Sequence, residues 1–117
     1  MNDFIMLNEN RDFRRIYNRG KSFVSPALVV YYTKNRAGFC RLGITTSKKI
    51  GCAVKRNRAK RVIKEAFRKC VGNVNAGYDF VIVARTKTAY IKSTEAESVL
   101  LKLFEKAGIL KNEADND

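Results

Sequence analysis

The chain has no histidine and no tryptophan, a single proline, three cysteines, and eleven acids against twenty-four Lys and Arg in 117 residues. Without histidine, no Ser-His-Asp or Cys-His arrangement can be built, nor any histidine proton relay. The thiols Cys40, Cys52 and Cys70 form no CxxC pair. A zinc site takes four Cys/His ligands, or three and a water, so the thiols are expected to pack as small hydrophobes. Acids are scarce where chemistry would need them. Six of the eleven lie at or beyond Glu95, and Asp3, Glu9, Asp12, Glu65 and Asp79 show no paired spacing. A two-metal phosphodiesterase requires several convergent carboxylates; none is visible, and no catalytic or metal-ligating side chain is expected. No apolar run approaches the ~20 residues of a membrane span. The start Met1-Asn2-Asp3 lacks the charged-then-apolar pattern of a secretory signal. A soluble, cytoplasmic protein without a membrane partner is expected.

What is present is positive charge. The net charge is +13 and the pI about 10.0, while the hydrophobic fraction of 45% is ordinary for a globular domain. This balance points to a polyanion, and nucleic acid is the candidate left once membranes are set aside. The charge is concentrated. Between Lys48 and Lys69 there are ten Lys and Arg, with Glu65 the one acid among them. At about 100° per residue, Ala59, Val62, Ile63, Ala66, Phe67 and Cys70 fall on one arc, an apolar stripe that must face a core. Asn57, Arg61, Lys64 and Arg68 fall on the opposite arc as one ridge, flanked by Arg56, Arg58 and Lys60. Like charges at i, i+4 weaken an isolated helix by a few tenths of a kcal/mol per pair. Stacking them anyway argues for an anionic partner.

The rest of the chain reads as one domain over residues 1–110 and a disordered tail over 111–117. Asn8 or Asn10 is expected to cap a first helix ending near Arg19, with Gly20 as its left-handed stop. Ser22 to Thr33, with Pro26 near its start, and Phe39 to Thr46 read as strands joined by a turn at Lys34-Asn35-Arg36-Ala37-Gly38. Gly51 allows close backbone approach or a turn with positive φ. Tyr78 to Arg85 is a nearly continuous apolar run, as in an interior strand. A linker follows, and Thr94-Glu95-Ala96-Glu97 matches the capping box of a last helix closed by Gly108. If Ser22 to Thr33 and Phe39 to Thr46 hold three strands between them the order is α-β-β-β-α-β-α, and otherwise one strand fewer. Amphipathic helices beside a small mixed sheet predict an α+β fold, a two-layer α-β sandwich.

Thr46-Ser47-Lys48-Lys49-Ile50-Gly51-Cys52-Ala53-Val54-Lys55-Arg56-Asn57-Arg58-Ala59-Lys60-Arg61 resembles the S-K-K-x-G-x-A-V-x-R-N-R-x-K-R run of the bacterial ribonuclease P protein family. Two further segments agree. Asn10, Asp12, Phe13, Tyr17 and Gly20 resemble, slightly shifted, the family's N-x-x-D-F-x-x-x-Y-x-x-G. Asp79, Val81, Ala84 and Arg85 follow its D-x-V-x-x-A-R strand. The resemblance spans roughly residues 8 to 107.

The resemblance implies a ribosomal-protein-like fold with a left-handed β-α-β crossover, against the general rule. It implies a division of labour too. The RNA partner, with Mg²⁺ held mainly by that RNA, hydrolyses one phosphodiester and releases the 5′ leader of precursor tRNA; the protein binds the catalytic RNA and the leader. By position, RNA contact falls to Lys48, Lys49, Arg56, Asn57, Arg58, Lys60, Arg61 and Lys64, with Arg68 added from helical geometry. The leader cleft maps onto Phe13, Tyr17 and Tyr31, with Arg14 beside them and Arg15 and Arg19 as further phosphate candidates. No protein partner is implied. The alternative is a non-enzymatic RNA-binding protein, a ribosomal protein or RNA chaperone of the same architecture. A DNA-binding repressor fits less well, because the basic helix is followed by a strand and not by a second helix of a helix-turn-helix.

Overall fold

The computed structural model describes residues 4–111. Its elements are β1 (Ile5–Met6), α1 (Asn10–Arg19), β2 (Lys21–Val24), β3 (Leu28–Lys34), β4 (Arg41–Thr45), α2 (Ala53–Cys70), β5 (Tyr78–Ala84) and α3 (Ser93–Ala107), with short 3-10 turns at Lys48–Ile50, Val71–Asn73 and Thr86–Tyr90. The expected order is present, preceded by a two-residue edge strand too short to leave a periodic signal. The five strands form one sheet in the order β1-β4-β5-β3-β2. β3 runs antiparallel to β5 and β2, whereas β4 is parallel to β5 and β1. The parallel β4–β5 pair is joined through α2, so the basic helix is the crossover of a β-α-β unit.

Strand alternation assigns the two sheet faces. Leu28, Val30 and Tyr32 of β3, Leu42 of β4, and Phe80, Ile82 and Ala84 of β5 pack with α2 and α3. The stripe Ala59, Val62, Ile63, Ala66, Phe67 and Cys70 is buried in full. Phe67, Phe80 and Phe104 meet at its centre, with centroid separations of 5.2 to 6.3 Å. Sheet and helix pair make the two layers that hold the main core. On the opposite face lies α1, whose Ile16 is fully buried with Leu7 and Val81 against Phe13, Tyr31 and Val83.

Several local expectations are corrected. Gly20 has φ −80° and ψ 161°, extended and not left-handed. Its smallness is needed for space, because a Cβ there would lie 2.7 Å from the Tyr32 carbonyl oxygen. Glu9, not Asn8 or Asn10, stands at the N-cap of α1, with no side-chain cap bond. The box at Thr94 does not form either. α3 starts two residues earlier, with Lys92 at the N-cap and no side-chain bond there, which leaves Thr94 inside the helix. Gly108 does close α3 at φ 74°, and Gly51 turns the chain at φ 130°. The expected linker after β5 is a 3-10 turn in which Thr88 and Ala89 are buried. Thr88 receives the Arg85 N–H at 2.9 Å and donates to the Ala27 carbonyl, fixing that turn to the β2–β3 connection. Cys40 and Cys70 are buried as expected, but Cys52 is exposed at the N-cap of α2. The helix-start N–H groups of Lys55 and Val54 lower its thiol pKa. Lys111 belongs to the fold, donating its N–H to Asn73 at 2.7 Å; the rest of the expected tail, 112–117, lies outside the described residues. Among those described, no helix is long and apolar enough to cross a membrane.

Candidate nucleic-acid interface

The ridge stands where its periodicity puts it. Asn57, Lys60, Arg61, Lys64 and Arg68 are exposed on α2, and Lys48 and Lys49 are exposed on the 3-10 turn before it, anchored by buried Ile50. Asn57, Lys60, Arg61 and Lys64 make no side-chain hydrogen bond or ion pair among the described residues, so their donors face solvent. Three arginines are held differently. Arg56 donates to the Gly51 carbonyl at 2.7 Å, and Arg58 Nε to the Ala89 carbonyl at 2.8 Å. These two brace the loops at either side of the helix and present only their remaining N–H groups outward. Arg68 pairs with Glu65 at 3.4 Å and lies over the Phe4 ring at 5.9 Å.

The aromatic residues come together on the α1 face. The sheet register places Gly43, Val81 and Tyr31 side by side, with Thr45, Val83 and Val29 in the next row of that face. Phe13 lies on Gly43, where a Cβ would overlap its ring at Cε1. Tyr17, one helical turn on, meets Tyr31 edge to face at 4.8 Å and 85°. Its hydroxyl shares a hydrogen bond of 2.9 Å with Thr45 Oγ1. Phe13 and Tyr31 are half-buried, whereas Tyr17 is 36% exposed. The result is a shallow trough between α1 and the sheet, with aromatic walls and an apolar floor. A groove of about 450 Å³ is lined by Phe13 and Ile44 together with Lys60, Arg61 and Lys64 of the ridge. Lys60, Arg61 and Lys64 thus share one groove with the Phe13 ring.

Asp79 holds α1 in that position. Its carboxylate is completely buried. It accepts two bonds from Arg41 at 2.7 and 2.8 Å, one from Arg15 at 2.8 Å and one from Asn35 at 2.7 Å. Burial pushes the carboxyl pKa up, but the hydrogen bonds of Arg41, Asn35 and Arg15 outweigh it and hold the group below its ordinary value. The same bonds raise Arg15 and Arg41 against the opposing effect of burial. Arg15, a further phosphate candidate from sequence, spends Nη2 on Asp79 and Asp12 and remains partly exposed. Arg14 and Arg19 are exposed.

A family model described as Ribonuclease P matches residues 1–108. The chain belongs to that family. Among curated relatives, the ribonuclease P protein component of Clostridium botulinum (strain Langeland / NCTC 10281 / Type F) is 44% identical over 104 residues, 88% of this chain and 94% of that protein. The ribonuclease P protein component of Clostridioides difficile (strain 630) is 45% identical over 83 residues, 70% of this chain and 73% of its own. The solved RNase P protein of Staphylococcus aureus superposes with a TM-score of 0.79 at 33% identity, covering 91% of this chain and 97% of that one. The RNase P protein of Thermotoga maritima gives 0.76 at 33% identity, covering 86% and 96%. Membership brings the RNA-binding, tRNA-processing role of ribonuclease P proteins, and the α+β fold is that of these neighbours.

Two residues that shape the ribonuclease P trough were not among those singled out for it from sequence. Gly43 carries a signal, because a glycine inside a strand marks a close approach. Thr45 carries none; only the folded register brings its hydroxyl to Tyr17.

Proposed function

We propose that the α2 ridge docks on the catalytic RNA of ribonuclease P, and that the trough receives the single-stranded 5′ leader of precursor tRNA. The observation that carries this is the groove shared by Lys60, Arg61, Lys64 and Phe13, which sets cations unpaired among the described residues beside an aromatic ring. Cations neutralise backbone phosphates without regard to sequence. Ring faces distinguish a splayed single strand from a duplex whose bases are already stacked. A leader clamped in the trough while the ridge holds the RNA orients the scissile phosphodiester against the ribozyme, and that lost freedom is settled on binding.

Bond hydrolysis falls to the RNA with its Mg²⁺. Among the described residues, no three His, Cys, Asp or Glu side chains are grouped to hold a metal ion. The oxygens of buried Asp79 are taken by arginine and asparagine donors. In this reading the protein's side chains bind and orient the RNA strands, in the cytoplasm. Adding the protein to purified ribonuclease P RNA at limiting Mg²⁺ should restore precursor-tRNA cleavage. RNA that cleaves no faster with the protein than without it would overturn this function.

A further inference from the structure

A cleft of about 470 Å³, sharing with the surfaces above only the candidate Arg19, lies where the end of β3 meets the start of β5. Part of its lining is cationic. Arg19 at the end of α1, Lys21 at the start of β2 and Lys34 at the end of β3 line it, all exposed. None of the three enters an ion pair among the described residues. The rest of the lining includes Tyr78, the cross-strand neighbour of Lys34, and the end of α3, Ala107 to Ile109. Tyr32, the cross-strand neighbour of Lys21, lines it too. Its hydroxyl donates to the Ala107 carbonyl at 3.4 Å, and its ring meets Tyr78 at 5.8 Å in an edge-to-face contact.

The lining is of two kinds. Three cations around one concavity repel each other unless an anion shares the space. Beside them stand the Tyr78 ring, which suits an apolar face, and the end of α3. There the Ala107 and Ile109 carbonyls are taken by Tyr32 and Asn75, and that of Gly108 accepts no bond among the described residues. A ligand that fits carries negative charge at one end and a flat ring with N–H groups at the other. A nucleotide has that shape and polarity, and the volume falls in the range of small-ligand sites. Like charges close together are also cheaper to keep where a phosphate neutralises them.

We propose that this cleft binds one nucleotide of an RNA strand, its phosphate among Arg19, Lys21 and Lys34 and its base against Tyr78. The site is separate from the trough and does not depend on the leader being bound there. Titration of the full chain with adenosine 5′-monophosphate, followed by backbone amide NMR shifts, tests it. The amides of Lys34, Tyr78 and Gly108 should shift and saturate together. The Lys21→Glu/Lys34→Glu pair, both on the surface, should weaken that binding by about tenfold or more. Tyr78→Leu, which removes the ring face, should weaken it by about fivefold or more. The proposal is overturned if those amides do not saturate, if the charge reversals leave the midpoint unchanged, or if inorganic phosphate reproduces the response at the same midpoint. Amides of Tyr17 and Tyr31 report the trough separately, so either site can fail without the other.

Discussion

The ridge on α2 is a property of one helix. Asn57, Arg61 and Lys64 share a face because 3.6 residues make a turn, and the opposite face is pinned by a fully buried stripe. The trough belongs to no single element. Phe13 and Tyr17 come from α1, Gly43 and Thr45 from β4 and Tyr31 from β3, and Asp79 of β5 sets the helix over the sheet. A surface carried by one helix survives small shifts between elements. A surface assembled from four is as good as the contacts that register them. The ridge should therefore respond to substitution residue by residue, and the trough as a unit.

The largest break expected is Asp79→Asn. Removing the charge leaves Arg15 and Arg41 without their shared carboxylate, and breaking a buried pair costs about 3–5 kcal/mol. Urea unfolding should show that loss. Because the folded carboxyl pKa is depressed, its contribution is fully present above the ordinary carboxylate range and disappears as pH falls through the lower folded value. The parent protein should thus lose stability in acid below about pH 4, and Asp79→Asn should lack that component. An unchanged acid limb would show that Asp79 is not the group responsible.

Gly43→Ala comes next. The added methyl collides with the Phe13 ring, and overpacking of this kind costs about 1–3 kcal/mol. Leader binding should fall with it, since α1 must lift. Tyr17→Ala sharpens the contrast, removing a stacking face while the fold persists. Precursor affinity should fall by about 1–3 kcal/mol, with affinity for mature tRNA unchanged. Equal losses for both RNAs would place Tyr17 outside leader recognition.

On the ridge, alanine at Arg61 or Lys64 should lower RNA affinity modestly and reduce the slope of log affinity against log salt by about one per residue. These two positions give a cleaner reading than Arg56 or Arg58, whose guanidinium groups brace Gly51 and Ala89. The smallest effect belongs to Thr45→Val, which strips the Tyr17 hydroxyl of its partner. A single hydrogen bond of this kind contributes about 1 kcal/mol, read as weaker precursor binding at full stability.

Much of the ridge was legible in the sequence because helical periodicity is local. The stripe Ala59 to Cys70, the order of elements and the closing Gly108 all follow from neighbours within a few turns. The trough residues were legible only through resemblance to a family motif. Nothing in the spacing of Phe13, Tyr17 and Tyr31 states that the rings meet. The cap expectations at Asn8, Asn10 and Thr94 failed for the complementary reason: a side-chain cap bond can be replaced by water, and α1 and α3 both begin without one.

The chain by itself determined its charge, the absence of histidine chemistry, the amphipathic basic helix and the run of strands, since these depend on residue type and on intervals shorter than one element. The tertiary structure alone decided that α1 crosses the far face of the sheet, that Arg15 pairs with Asp79, that Cys52 stays exposed, and that Phe13 shares one groove with Lys60, Arg61 and Lys64. Those outcomes depend on strand register and on which buried charges find partners, and such pairings bring together residues as far apart as Arg15 and Asp79, a distance no local pattern spans.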